Sequence, residues 1–216
     1  MKIIAHRGLS QKYKENTLES LNGAIKNNIF DIEIDLMITK DYKVILQHNI
    51  IKEDSEYLTI NRNYNNSDLL LETVFEKLPN NINWVLDLKD PRPSSYLVEE
   101  VLKICEKYDC INRCIFASFN LFHLLDLNIY ESKTGKILKK AYSTSNLDID
   151  FFKSKIIQYN LTHLIFDKNQ ISYDVIQHIK KKSQIHIYVY TINTINWYNL
   201  CLRCGIDGIF SDKCIF

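Results

Sequence analysis

The chain has little of what loosens a polypeptide. Only three of its 216 residues are proline and five are glycine, so no stretch is compositionally a linker and one domain over residues 1–216 is expected. Long apolar runs are missing. No segment approaches the roughly 18 apolar residues of a membrane span. The first run, Ile3-Ile4-Ala5, is too short for the apolar core of a secretory signal, so a cytoplasmic protein without a transmembrane segment is expected. A surplus of one charge is missing too. With 27 Lys and Arg against 26 Asp and Glu, the net charge of +1 argues against a nucleic-acid partner. Lys180-Lys181-Lys182 reads as the cationic end of a helix. Glycine-rich nucleotide loops of the GxGxxG or GxxxxGK[ST] type are absent. The six cysteines form no framework: Cys201-Leu202-Arg203-Cys204 has CxxC spacing, but no second CxxC or His pair accompanies it. A domain of this size needs no disulfide staples, and ordinary reduced thiols are expected.

What is present is a regular alternation. Short apolar, β-branched runs alternate with segments of helical period, the pattern of a parallel α/β fold. Strands are expected at Lys2–Ala5, Phe30–Leu36, Trp84–Leu88, Cys114–Ala117, Ile137–Tyr142, His163–Phe166, His186–Tyr190 and Gly208–Phe210. Helices are expected at Asn16–Asn27, Ser67–Lys77, Ser94–Lys107, Leu121–Leu127, Asp148–Gln158, Ser172–Lys182 and Thr194–Leu202. Val44–Gln47 reads as a short extra strand, and residues 50–67 as polar and irregular. Eight strands, each but the last followed by a helix, predict a small (β/α)8 TIM barrel, with a doubly wound open sheet as the alternative.

The residues that carry chemistry gather at or near strand ends. His6 and Arg7 end the first strand, Glu33 and Asp35 lie on the second, and Asp87 and Lys89 end the third. A barrel places active sites at the C-terminal ends of its strands. Glu33 and Asp35 are two apart and face the same way, as do Asp87 and Lys89. Carboxylates on one face repel unless a cation lies between them. Glu33, Asp35 and Asp87 therefore read as an all-oxygen site suited to one divalent metal, Mg²⁺ or Ca²⁺. An isolated Glu-x-Asp more often faces solvent; it is the company of Lys89 and two histidines that argues otherwise. Arg7 offers a planar fork and Lys89 a point charge to a phosphate. His6 and His48 can serve as the acid/base pair that breaking a P–O ester requires.

His6-Arg7-Gly8, Glu15-Asn16-Thr17, Glu33-Ile34-Asp35, His48 and Asp87-Leu88-Lys89, in this order, resemble the glycerophosphodiester phosphodiesterases. Ser118-Phe119, Tyr190-Thr191-Ile192-Asn193 and the closing Gly205–Asp212 extend the resemblance over nearly the whole chain. It implies a (β/α)8 barrel that hydrolyses small glycerophosphodiesters to an alcohol and glycerol 3-phosphate with a divalent metal. By position, Glu33, Asp35 and Asp87 would be metal ligands, His6 and His48 the acid/base pair, and Arg7 and Lys89 the phosphate clamp. The glycerol hydroxyl beside the ester would take part, through a cyclic phosphate. Glu15 would support this shell, Asn16 would cap the first helix or contact the site, Tyr190 would line the pocket, and Asn193 would support the site or line the pocket. The chain departs from the family at Asn49, where Asp is usual, at Asp87, where Glu is usual, and at Tyr190, where Trp is usual. The insertion after the second strand is reduced to about residues 49–67. Two readings stay beside this one: lysophospholipase D activity on a single-chain lipid, for which Tyr57, Leu58 and Ile60 are too few to decide, and a non-catalytic phosphodiester-binding barrel. A phospholipase of the phosphatidylinositol or sphingomyelin type fits His-Arg-Gly and Glu-Asn-Thr poorly. The oligomeric state is not legible.

Overall fold

The computed structural model describes residues 1–48, 52–53, 56–57, 62–91 and 96–214. The strands are β1 Lys2–His6, β2 Asp31–Ile38, β3 Val44–Leu46, β4 Lys52–Glu53, β5 Glu56–Tyr57, β6 Asn83–Leu88, β7 Cys114–Ser118, β8 Lys139–Thr144, β9 His163–Asp167, β10 His186–Tyr190 and β11 Gly208–Ser211. The helices among the described residues are α1 Leu18–Lys26, α2 Leu71–Lys77, α3 Tyr96–Lys107, α4 Leu121–Thr134, α5 Ile149–Tyr159, α6 Tyr173–Lys182 and α7 Ile195–Cys204. Eight strands run parallel in the order β1-β11-β10-β9-β8-β7-β6-β2, and β1 also pairs with β2, so the sheet closes on itself. His6 stands opposite Glu33 across one side of β1, and Ala5 opposite Ser211 across the other. Closure excludes the open doubly wound sheet. β3 lies antiparallel outside β2, and β4 pairs with β5 in the reduced insertion.

The two-residue period of each strand sorts its side chains between two cores. On β2, Ile32, Ile34, Leu36 and Ile38 point outward and are buried under the helices with Leu21, Ala24, Leu71 and Val74. Each such side chain stabilises the fold by about 1.5–3 kcal/mol relative to exposure. The inward set is Ile4, Val85, Ala117, Ala141, Ile165, Tyr188 and Phe210, an apolar plug across the barrel. The alternate inward residues nearer the C-terminal ends of β1, β2 and β6 include His6, Glu33, Asp35 and Asp87. They lie on top of this plug.

Three helix boundaries differ from the sequence expectation for a local reason, while several strand and helix ends shift by one or two residues. α1 starts at Leu18 because Thr17 caps it: Ser20 N donates to Thr17 Oγ1 at 3.2 Å, and Thr17 N to Ser20 Oγ at 3.3 Å. Asn16 is therefore not the cap. α2 starts at Leu71 rather than Ser67, because Ser67–Leu70 is drawn into a turn. There Asp68 pairs with Arg62 at 2.6 Å, and Leu70 bridges to Ile45. α4 runs to Thr134, well past Leu127, and ends where Gly135 takes a left-handed φ of 71°.

Candidate active site

The loop after β1 builds the first wall. Arg7 and Gly8 both have left-handed backbone, with φ of 58° and 79°. Gly8 is required there, because a Cβ would stand 2.5 Å from the carbonyl carbon of Ser20. This turn aims Arg7 N at Glu33 Oε2, to which it donates at 2.9 Å. Ser20 Oγ donates to Arg7 O at 2.8 Å and so ties the turn to α1. Asn16, itself at φ 55°, faces Asp35. Its Nδ2 donates to Asp35 Oδ2 at 2.8 Å, and its Oδ1 accepts from Asp35 N at 3.2 Å. Glu15 accepts from Arg7 Nη1 at 2.6 Å and fixes the guanidinium.

Register brings the acids together. Asp35 of β2 lies directly opposite Asp87 of β6, with Glu33 two residues back on the same face. All three are buried, and they can present one oxygen each within 4.8 Å of one another. Two cations are shared among them. Lys89 Nζ lies 2.5 Å from Asp87 Oδ2 and 3.3 Å from Asp35 Oδ1, and Arg7 Nε lies 3.0 Å from Asp35 Oδ2. Burial, then the charges of Asp35 and Asp87, holds the Glu33 carboxyl well above the usual range. Burial also raises Asp87, against the pull of Lys89. For Asp35 burial is outweighed by Lys89, Arg7 and the Asn16 hydrogen bond, and it falls below its usual value. Asp87 Oδ1 is buried without a hydrogen-bond donor, and Asp35 Oδ1 has the ion pair with Lys89 but no hydrogen bond. An all-oxygen donor set with such oxygens fits a hard divalent cation.

His6 has a partner that the sequence reading did not assign to the site. Its Nδ1 lies 2.7 Å from Asp212 Oδ1, while its Nε2 lies 4.0 Å from Glu33 Oε2. Asp212 also accepts from Ser10 Oγ at 3.0 Å and from Asn193 Nδ2 at 2.6 Å, and its N–H donates to Asn193 Oδ1 at 2.9 Å. Burial works upward on Asp212, but the hydrogen bonds from His6 and Asn193 prevail and bring its carboxyl down to about 2. It is thus an anion placed to accept a proton from His6 Nδ1, in the tautomer that leaves Nε2 as the acceptor on the Glu33 side.

Most of the cluster lines one cavity of about 310 Å³ at the C-terminal ends of the strands; Asp35 and Asp212 touch its lining residues without lining it themselves. His6, Arg7, Glu33, His48, Asp87 and Lys89 form its polar side. Val85, Ala117, Ile165 and Phe210 form an apolar floor, and Phe119, Asp167, Tyr190 and Thr191 close it. Lys89 Nζ lies 5.1 Å from the Phe119 ring centre.

The family model of the glycerophosphoryl diester phosphodiesterase family matches residues 6–215. The chain belongs to this family, and so to the phosphoric diester hydrolases. A glycerophosphodiester phosphodiesterase of Caldanaerobacter subterraneus is 23% identical over 97% of this chain and 93% of its own. The crystal structure of the Thermotoga maritima glycerophosphodiester phosphodiesterase is 26% identical, covers 98% of this chain and 94% of that one, and superposes with a TM-score of 0.76. An Oleispira antarctica phosphodiesterase, solved in complex with sn-glycerol-3-phosphate, shares the fold at a TM-score of 0.84 and 19% identity, over 99% of this chain and 93% of that one.

Against the family pattern, the structure locates each departure differently. Asn49, like Leu58 and Ile60, lies outside the described residues. Asp87, one methylene shorter than Glu, still reaches Lys89 and leaves its second oxygen undonated. Tyr190 lines the cavity with its ring, while its hydroxyl donates to Thr144 O at 3.0 Å. Burial and Asp167 raise that phenol to about 12. Asn16, Glu15 and Asn193 do not line the cavity: each acts on a neighbour, namely Asp35, Arg7 and Asp212 respectively. Asp167 on the wall was not singled out from sequence either. Its place one residue after Phe166, at the end of the β9 run, was the available signal.

Proposed function

We propose that this chain hydrolyses glycerophosphodiesters to an alcohol and glycerol 3-phosphate, with His6 and His48 exchanging protons across one phosphodiester. The observation that supports this most directly is the set of Glu33, Asp35 and Asp87, three buried carboxylates sharing two cations, beside His6 in a cavity of about 310 Å³. Those three carboxylates would hold one divalent metal, Mg²⁺ or Ca²⁺, which when bound supplies Lewis-acid stabilisation of phosphoryl charge. Arg7 and Lys89 bind and orient the phosphate oxygens, and oppose the charge that grows on them as the ester opens. With Nδ1–H given to Asp212, His6 presents Nε2 as the base that removes the proton from the attacking hydroxyl. On the glycerol moiety that hydroxyl lies beside the ester, so its oxygen forms the new P–O bond of a cyclic phosphate. His48 protonates the leaving alcohol oxygen as the old P–O bond breaks. Water then opens the ring with the two histidines in exchanged roles.

The opposite wall favours a cationic alcohol such as choline or ethanolamine. Asp167 and the Tyr190 ring can face an ammonium group, by charge and by cation–π attraction. A single-chain lipid is the second reading, favoured by Phe119, which lines the cavity and is 45% exposed, and by Phe122, three residues on in the first turn of α4 and 53% exposed.

The test is glycerol 3-phosphate release from glycerophosphocholine with Mg²⁺ or Ca²⁺, repeated in excess EDTA. Product that requires metal supports the reading. No product from glycerophosphocholine under either metal, with product from a lysolipid, moves the activity to the second reading. No product from either defeats both.

A further inference from the structure

The opposite end of the barrel carries a second cluster of ligand atoms that takes no part in the cavity. Cys105 lies in the last turns of α3, Cys110 in the turn that follows, and Cys114 is the first residue of β7. All three are buried. Cys114 Sγ lies 4.0 Å from Cys105 Sγ and 3.9 Å from Cys110 Sγ, and the three sulfurs are within 4.8 Å of one another. The backbone gathers them in advance. Asp109, left-handed at φ 47°, folds the chain back under the helix end, where Cys110 N donates to Cys105 O at 3.0 Å. Arg113 N then donates to Cys110 O at 2.9 Å and sets the start of β7.

We propose that Cys105, Cys110 and Cys114 form a three-thiolate site for a soft monovalent d¹⁰ cation, copper(I) being the ion whose chemistry fits best. An ion at the centre of a sulfur triangle of side 4.0 Å is 4.0/√3, or about 2.3 Å, from each sulfur, the length of a metal–thiolate bond. Two edges already have that side, and the third is no longer than 4.8 Å. Soft thiolates select such ions over hard cations. Zinc in a structural site takes four ligands, and the cluster offers three, with no histidine or carboxylate in the set. A disulfide needs sulfurs about 2.05 Å apart, half the present separation.

The surroundings suit a cation held by thiolates. The carbonyl end of α3 carries the negative pole of the helix. Arg113 Nε is buried without an acceptor, and its charge favours the thiolates of Cys110 and Cys114. Binding forms Cu–S bonds, releases thiol protons to solvent and changes no oxidation state. It ties α3 to β7 at the end of the barrel where stability, not chemistry, resides.

The full reduced chain, kept anaerobic, should be titrated with copper(I) in competition with a chromogenic chelator. The expected result is one copper(I) withheld per chain, with X-ray absorption of the wild type showing three sulfur neighbours at about 2.3 Å. Cys110→Ser should lose that copper, and a Cys201→Ser/Cys204→Ser variant should keep it. No copper withheld by wild type, two or fewer sulfur neighbours, or retention by Cys110→Ser would each overturn the site. So would loss of copper from the Cys201/Cys204 variant, or a Cys105–Cys114 disulfide that persists in glutathione. The wild-type spectrum stands whether or not Cys110→Ser folds.

Discussion

Replacing Asp212 by Asn tests the proposed chemistry without touching the cavity wall. The carboxylate has no room to become an amide quietly. Asn193 cannot turn to meet it, because Asn193 Oδ1 already accepts from Asp212 N at 2.9 Å and Ser211 Oγ at 3.1 Å. If the new NH₂ points at Asn193 Nδ2, two donors face each other across the former 2.6 Å bond. If it points at His6, Nδ1 must accept and the proton moves to Nε2, which leaves no base facing the substrate. The first cost is the wrong tautomer, favoured by about 1 kcal/mol for a neutral hydrogen bond. The second is the lost charge-assisted bond to the imidazolium that forms in the transition state, about 1.5–3 kcal/mol. The sum of about 2.5–4 kcal/mol predicts a 10²- to 10³-fold fall in kcat. KM should change less than about threefold, because Asp212 does not line the cavity. Glycerol 3-phosphate release gives both constants, and ¹⁵N NMR of the His6 ring reports the tautomer. A variant with kcat within threefold of wild type, or an unchanged tautomer, would refute the reasoning.

Conversion of His6 or His48 to Ala should each lower turnover by roughly two or more orders of magnitude with the circular dichroism unchanged; full activity in either would dismiss its place in the acid/base pair. Asp87→Asn should weaken metal affinity about tenfold or more, read by a metal titration of turnover, and an unchanged curve would remove Asp87 from the metal site. Acid should destabilise the fold through two histidines that burial keeps neutral, His123 lowered to about 4 and His163 to about 3. Below about pH 6.5 the unfolded chain takes up protons that these folded rings refuse, so stability is full above 6.5 and falls toward pH 4, by about 3 kcal/mol for each ring. Urea midpoints at the two pH values should show this loss shrinking in His163→Gln; an equal loss in both proteins would defeat it.

The order of elements was legible because each strand is a short apolar run and each helix has its own period. The acid cluster was legible for a related reason: Asp31-Ile32-Glu33-Ile34-Asp35 alternates polar with apolar, and in a closed barrel the polar set has only the interior to enter. Contacts made by closure were not legible. His6 and Asp212 are 206 positions apart and meet because β11 ends beside β1, which no spacing encodes. Asn16 misled in the opposite way. A cap-forming residue before a helical period reads as the cap, yet Thr17 one position on was equally suited, and only the position of β2 shows that Asn16 is needed by Asp35.

The two ends of the barrel manage charge differently, and the difference favours the site proposed above. At the N-terminal end Asp31 and Asp207 each have a cation of their own, Lys2 at 2.9 Å and Lys180 at 2.8 Å, all reached by solvent. At the C-terminal end Glu15, Glu33, Asp35 and Asp87 gather around Arg7, Lys89 and the His6 ring, with three of the four acids buried. Burying a charge without a full partner costs several kcal/mol, and nothing in the packing of the barrel requires it. A fold selected only for stability would spread these acids or replace them by the Val, Ile and Ala that fill the layer beneath. They are gathered instead on one face of two adjacent strands, above an apolar floor. The divalent cation proposed above would relieve that crowding, beside the imidazole that Asp212 meets.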